Sequence, residues 1–274
     1  FRGTTYSNAG FYVDDVSYPL HYSQNIDFFD LERTEVLKGP QGTLYGRNSE
    51  SGVINIITRQ PGNQLDGKIL AEYGDYNSLR SVASVSGPIV DDTLYLGGAF
   101  QYRSSDGYVE NESNGDDRAA DLRHLAGGAT LRWTPSDPWD ISLMADIMNA
   151  DDHGAEARFL TGPHETDPHK VRRDTDAYLK QNWNSQIMRV KYDSDELRFL
   201  SVSGVLYQDL DKVNDCDMWD NPKDKKINPT QLKERQYSQE FRVSSQAGPF
   251  EWLGGLYGFI EKSRFNYKYE ILSA

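Results

Sequence analysis

From about residue 65 onward the chain alternates apolar and polar side chains with a period of two. Ile69, Ala71 and Tyr73 alternate with Lys68, Leu70 and Glu72. Leu94, Leu96, Gly98, Phe100 and Tyr102 form one such row, and Leu125, Ala129, Leu131 and Trp133 another. Trp139, Ile141, Leu143, Ala145 and Ile147 form a third, followed by Met188, Val190 and Tyr192 and by Phe241 and Val243. Successive side chains of a strand point to opposite faces, so each segment presents one apolar and one mostly polar face. The pattern predicts about nine strands, near 66–74, 78–88, 93–105, 122–134, 139–150, 185–193, 196–209, 236–246 and 250–265. Residues 1–60 differ: three short apolar runs, 10–16, 33–37 and 53–58, are bounded by Gly and Pro and predict a small buried core. Asp27 to Leu31 is expected to form a brief helical turn, and Pro61-Gly62-Asn63 to close the region.

The connections carry more information than the strands. Pro88–Asp92, Thr134–Pro138, Asp193–Asp195 and Ala247–Pro249 are short, and they alternate with the long Ser105–Asp121, Asp151–Asn184 and Leu210–Arg235. The remaining member of the second set, around Asp75-Tyr76-Asn77, is short. A meander built this way places short turns at one end and long loops at the other, the asymmetry of an outer-membrane barrel. Trp133 and Trp139 flank one short turn, where an interfacial aromatic girdle would lie. The expected fold is mainly β: a partial transmembrane antiparallel barrel, about nine strands of the 22 of a plugged transporter, behind the C-terminal part of an α+β plug. The domains are 1–60 for the plug and 61–274 for the barrel portion.

Composition narrows the function. The 274 residues carry 29 Lys+Arg against 42 Asp+Glu, a formal charge of −13. That excess argues against a nucleic-acid partner, which needs a basic face. Aromatics reach 12%, too many for a disordered chain. The single Cys216 excludes an internal disulfide framework and a Cys-rich zinc site. No Gly-Lys-Ser/Thr follows Gly39, Gly42, Gly46 and Gly52, so these glycines shape turns and do not hold phosphate. No nucleophile elbow occurs, and no enzyme activity or cofactor is expected.

Residues 31–59 run Leu31-Glu32-Arg33-Thr34-Glu35-Val36-Leu37-Lys38-Gly39-Pro40-Gln41-Gly42-Thr43-Leu44-Tyr45-Gly46-Arg47-Asn48 and on to Val53-Ile54-Asn55-Ile56-Ile57-Thr58-Arg59. This segment, with Phe1-Arg2-Gly3 and Tyr12-Val13-Asp14-Asp15-Val16 before it, resembles the plug signature of TonB-dependent outer-membrane receptors. The barrel start, Gly67-Lys68, Glu72-Tyr73-Gly74 and Ser86-Gly87-Pro88, is similar to the siderophore branch of the yersiniabactin-receptor type. Two positions depart from the family pattern: Lys38 stands where Arg is usual, and Asp15 where Gly is usual.

The resemblance implies an outer-membrane transporter fragment that imports a ferric siderophore, energised by TonB and an inner-membrane energy-transducing complex, with lipid around the barrel. It implies ligand contact at the plug apices, for which Tyr6, Ser7, His21 and Tyr22 are the expected residues. Cobalamin or oligosaccharide import is the rival within the class. A passive porin-like channel and a secreted glycan-binding β-sandwich are the rivals outside it. His153, His164 and His169 lie among carboxylates in one outer loop, but their spacing matches no zinc pattern and no metal site is expected there. The acidic run from Asp106 to Asp121 reads as a solvated loop, and inward Arg103, Arg132, Arg189 and Arg242 are expected to pair with plug or lumen carboxylates.

Overall fold

The computed structural model describes residues 8–19, 24, 27, 30–45, 48–154, 158–221, 223–245 and 250–273. Two sheets organise them. The first is four-stranded, in the order β2-β1-β4-β3, from β1 (Ala9–Val13), β2 (Val16–Ser17), β3 (Leu31–Lys38) and β4 (Gly52–Thr58). β1 and β2 form a hairpin, β1 runs parallel to β4, and β3 pairs antiparallel with β4 at the edge. One helical turn, α1 (Gly42–Tyr45), follows β3. The three apolar runs of the sequence thus become strands. Of the helical turn expected at Asp27–Leu31, residues 28–29 lie outside the described set, and Leu31 opens β3. Of the signature glycines, Gly39 and Gly52 adopt positive φ (82° and 139°). A Cβ at Gly52 would meet the Leu37 carbonyl oxygen at 2.4 Å, so β3 and β4 join only through glycine there.

The second sheet is a meander: β5 (Asp66–Gly74), β6 (Ser78–Val90), β7 (Leu94–Ser105), β9 (Leu122–Trp133), β10 (Trp139–His153), β12 (Tyr178–Asp193), β13 (Arg198–Asp215), β14 (Asp224–Ser245) and β15 (Trp252–Tyr267), each antiparallel to the next, with β16 (Glu270–Ser273) extending the far edge on β14. The remaining pair, β8 (Glu110–Asn111) and β11 (Lys170–Val171), joins two outer loops in parallel. The nine predicted strands all form. Three are much longer than predicted, because β12, β13 and β14 continue toward the outer loops through segments such as Tyr178–Asn184 and Asp224–Arg235 whose outward face is mostly polar. The expected long connection at 210–235 is therefore largely strand, and the one at 151–184 is shortened at both ends.

One face of this sheet is apolar and bare. Leu96, Phe100, Leu125, Leu131, Leu143, Ile147, Met188, Phe241, Leu256 and Ile260 are each more than 40% exposed on it. The directly paired row Leu94–Trp133–Ile141–Val190–Ser201–Phe241–Leu256 stays apolar except at Ser201. A higher row, Phe100–Gly127–Ile147–Asn184–Tyr207–Arg235–Lys262, turns from apolar to charged. Rows perpendicular to the strands climb out of an apolar band only if the strands are tilted to it, as in a barrel wall. Trp139 packs edge-on against Tyr192 at 4.9 Å, beside Trp133 near the short-turn end, as an interfacial girdle would. No described helix is long and apolar enough to cross a membrane, and these strands need none.

The opposite face is covered. Val13, Val16, Tyr18 and Ile56 of the first sheet form one buried cluster with Ala126, Met144, Met148, Ala150, Trp183, Ile187, Val202 and Leu206 of the wall. Each fully buried aliphatic side chain contributes on the order of 1.5–3 kcal/mol to that seat. Residues of 1–60 thus pack on the inner side of the sheet. In the intact barrel, Leu143→Arg places a charge near mid-membrane and is expected to cost about 2–4 kcal/mol, whereas Asn149→Arg, higher on the same face, costs about 0–1; urea unfolding in lipid vesicles measures both, and equal costs contradict the assigned lipid face.

Candidate functional site

The contact between plug and wall begins at the β1–β2 turn. Val13 pairs with Val16, leaving Asp14 and Asp15 as a two-residue turn, both at positive φ (47° and 70°). Such a turn needs left-handed residues, and Asp tolerates that conformation better than most side chains. Asp15 then uses its side chain as Gly could not. One oxygen lies 3.2 Å from Arg189 on β12, and the other 3.4 Å from Arg242 on β14. Arg242 is also held by Glu240 at 2.5 Å. Asp14 is 1% exposed and accepts from the Thr58 amide (3.1 Å) and hydroxyl (2.7 Å), tying the turn to the end of β4. Burial pushes the Asp14 carboxyl up, against the two Thr58 hydrogen bonds and Arg189.

Beside this turn Val16 meets the wall where β13 carries Gly204. A Cβ there would lie 2.8 Å from both Val16 methyls and 2.7 Å from the Ser238 hydroxyl, so a bare backbone makes the seat. Gln236 donates to the Ser17 carbonyl at 2.8 Å. Tyr18 is fully buried and faces Trp183 with ring centroids 5.8 Å apart. Deeper in the plug, the Tyr12 hydroxyl donates to the Tyr45 carbonyl at 2.5 Å, and burial pushes its pKa up to about 12, so it stays a neutral donor.

A second polar tie lies higher on the wall. His124 of β9 contacts Asp27 of the plug through Nδ1 (2.7 Å) and Asp152 of β10 through Nε2 (2.6 Å). Burial alone would raise the Asp27 carboxyl, but the His124 hydrogen bond and charge, with Arg103, hold it below the usual carboxylate range. Between the two ties lies a cavity of about 70 Å³ lined by Asp27, Thr58, Gly97, Gly128, Met144, Asp146 and Trp183. It has room for ordered water, and drug-sized ligands need roughly 300–1,000 Å³. Around the two ties the plug therefore leaves room only for water, whereas a larger cavity of about 450 Å³ opens farther along the wall, lined by Glu72, Tyr73, Arg80, Arg103 and Tyr108.

Tyr6, Ser7, His21 and Tyr22, the expected ligand contacts, lie outside the described residues. The inward arginines behave as expected: Arg189 and Arg242 pair with the plug, Arg132 pairs with Asp140 at 2.8 Å, and the charge of Arg103 acts on Asp27. Lys38 is exposed on the edge strand. The loop histidines do not converge. His153 pairs with Asp121 at 2.5 Å, His164 stacks on Trp219 at 4.0 Å, and His169 meets Tyr108 edge-on at 5.3 Å. The 106–121 segment is more ordered than a solvated loop: Val109, Ala119 and Val171 are buried together, and Glu112 pairs with Lys170 and Arg172. Two features escaped sequence reasoning, the Asp27–His124–Asp152 bridge and a convergence of Asp174, Asp215 and Asp217. Both join side chains far apart in the chain, and no local spacing announces them.

Comparison with known proteins agrees with this geometry. The TonB-dependent receptor plug domain model matches residues 1–53. The pesticin receptor of Yersinia pestis is 32% identical over 178 residues, covering 64% of this chain and 26% of that protein. The crystal structure of the ferric yersiniabactin uptake receptor from Yersinia pestis superposes with a TM-score of 0.84 at 26% identity, covering 97% of this chain and 42% of that one. The siderophore receptor PiuA from Acinetobacter baumannii shares the fold, with a TM-score of 0.79 at 15% identity over 98% of this chain and 41% of its own. The chain spans about a quarter of the length of the curated relatives it first matches. Residues 1–53 thus match the TonB-dependent receptor plug domain, and their described part sits on the inner face of a tilted, lipid-facing wall that is similar in fold to the ferric yersiniabactin uptake receptor.

Proposed function

We propose that the whole protein of which this chain is part imports a ferric siderophore across the bacterial outer membrane, energised through TonB. The observation that carries the reading is the shared core of plug and wall: a folded domain packed on the inner face of a barrel obstructs passive passage. Transport then requires the plug to move, and the wall contacts set the work. The Asp15 carboxylate is 13% exposed and its two arginine partners about 30%. Such partly desolvated pairs lie between the ~0–1 kcal/mol of surface pairs and the ~3–5 kcal/mol lost on breaking fully buried ones. Contacts of this size hold the plug at rest and yield to a pull on its periplasmic side. No bond of the ligand changes, so the protein acts as a transporter.

Ferric siderophore is favoured as cargo because the similar proteins include a pesticin receptor, 32% identical, and a ferric yersiniabactin uptake receptor with a TM-score of 0.84. Ligand contacts at Tyr6, Ser7, His21 and Tyr22 belong to the same proposal. Uptake of radioactive iron supplied as siderophore chelates, against radioactive cobalamin, in cells with and without TonB is the test. Iron uptake that requires TonB is expected. Cobalamin uptake, or TonB-independent passage of small solutes, overturns the reading.

The ties make two further expectations. Asp15→Asn leaves Arg189 and Arg242 facing an uncharged amide and lowers the stability of the seated plug by ~1–2 kcal/mol. The readout is the urea midpoint for release of the plug while the barrel stays folded; an unchanged midpoint shows that these pairs do not hold the plug. Asp27 has a depressed carboxyl, so its contribution is present above the ordinary carboxylate pKa and is lost as pH falls through the depressed value. Asp27→Asn should therefore weaken seating at neutral pH and flatten its loss in acid, and parallel pH profiles for the variant and the unaltered protein contradict this.

A further inference from the structure

We infer that Asp174, Asp215 and Asp217 form a calcium site that pins the outer loop after β13 to the outer loop before β12. One carboxylate oxygen from each residue lies within 4.8 Å of the others. A single Ca²⁺ with bonds of ~2.4 Å spans oxygens at that separation. Three segments meet here. Asp215 ends β13 opposite Ile227, and the Cys216 amide continues the ladder to the Lys226 carbonyl at 2.8 Å. Met218, at φ 59°, turns the chain back and donates its amide to Asp215 Oδ1 at 2.9 Å, fixing that carboxylate. Asp174 follows Arg173, which is 6% exposed and donates to the Ala119 carbonyl at 3.1 Å, so it stands on the loop pair built by β8 and β11.

The second observation is the state of Asp217. Its side chain is only 7% exposed, and no hydrogen-bond donor reaches either of its oxygens. Asp174 Oδ2 and Asp215 Oδ2 are likewise buried without a donor. The positive charge nearby does not satisfy them. The Lys226 ammonium approaches one Asp217 oxygen at 4.0 Å, beyond hydrogen-bonding distance, and Lys225 donates to the Asp174 carbonyl at 2.6 Å. Buried carboxylate oxygens turned toward one another repel unless a cation or a shared proton lies between them, and three such groups held together favour the cation. The donors are all hard oxygens, which suit Ca²⁺ over transition metals. An exposed face of the cell meets calcium at concentrations where extracellular modules bind it, with Kd about 10⁻⁴–10⁻³ M.

Bound calcium would link the β13–β14 loop to the outer loop pair, ordering the rim through which a ligand enters. The inference needs only the loop geometry, so it can fail while the import reading stands, and the reverse. Trp219 lies two residues from Asp217 and can sensitise Tb³⁺ luminescence there. With the intact receptor in detergent, Tb³⁺ emission excited through Trp is expected to appear, to be displaced by Ca²⁺ in the sub-millimolar to millimolar range, and to resist Mg²⁺ at the same concentrations. Asp217→Asn and Asp215→Asn should each weaken binding at least tenfold, whereas Asp106→Asn, outside the cluster, leaves it unchanged. A second readout uses unaltered protein: tryptic cleavage at Lys223, Lys225 or Lys226 should be fast with EGTA and slow with Ca²⁺. Unchanged Tb³⁺ affinity in Asp217→Asn, displacement by Mg²⁺ before Ca²⁺, or cleavage indifferent to Ca²⁺ overturns the assignment.

Discussion

The seat of the β1–β2 turn on the wall is the contact on which the rest depends. It combines shape and charge in five residues. Gly204 removes the side chain that would exclude Val16, and Arg189 and Arg242 approach Asp15 from two different strands. Apolar burial of Val16 and Tyr18 gives the seat its strength. The ion pairs give it direction, because only one placement of the turn puts Asp15 between both guanidinium groups. A wall in lipid must turn apolar residues outward and has polar residues left to face inward. Those inward groups need partners, and the plug supplies them: Asp15 for the arginines, Asp27 for His124, and the Ser17 carbonyl for Gln236.

This arrangement joins a large apolar contact to a few partly hydrated charged ones. No contact described between plug and wall is covalent, and the charged ones are partly wet. The larger part of the seat is the aliphatic and aromatic cluster around Tyr18, Trp183, Ile187 and Leu206. Moving the plug would expose that cluster to water, so displacing it from the wall costs work. The outer loops form a separate layer with their own small core at Val109, Ala119 and Val171.

The wall was legible in the sequence wherever lipid imposed an alternation. β5 is predicted to its exact bounds, and β7 and β9 to within a residue. It ceased to be legible above the apolar band. Lys180, Asn182 and Asn184 of β12 and Lys233 and Arg235 of β14 sit on the outward face beyond the lipid, where polar residues replace the apolar row that marks a strand in the membrane. The plug core was visible as three apolar runs, whereas α1 is a single turn with no amphipathic face to announce it. The replacement of Gly by Asp at residue 15 was visible as a departure, but its consequence was not, because Arg189 and Arg242 are brought to it only by the curvature of the wall. The three-aspartate convergence is opaque for the same reason, since Asp174 and Asp217 meet through tertiary structure alone.

The central claim is that the segment before β5 is a stopper held against the lumen face of a lipid-facing wall. The most direct test replaces Val16 and Gly204 by cysteine in a Cys216→Ser background and oxidises native outer membranes. The contact predicted between these positions is close enough for a disulfide to form in high yield and to block transport until reductant is added. If Val16→Cys instead cross-links to a cysteine at Val205, on the lipid-facing side of the same strand, the plug does not sit inside the wall and the account is wrong.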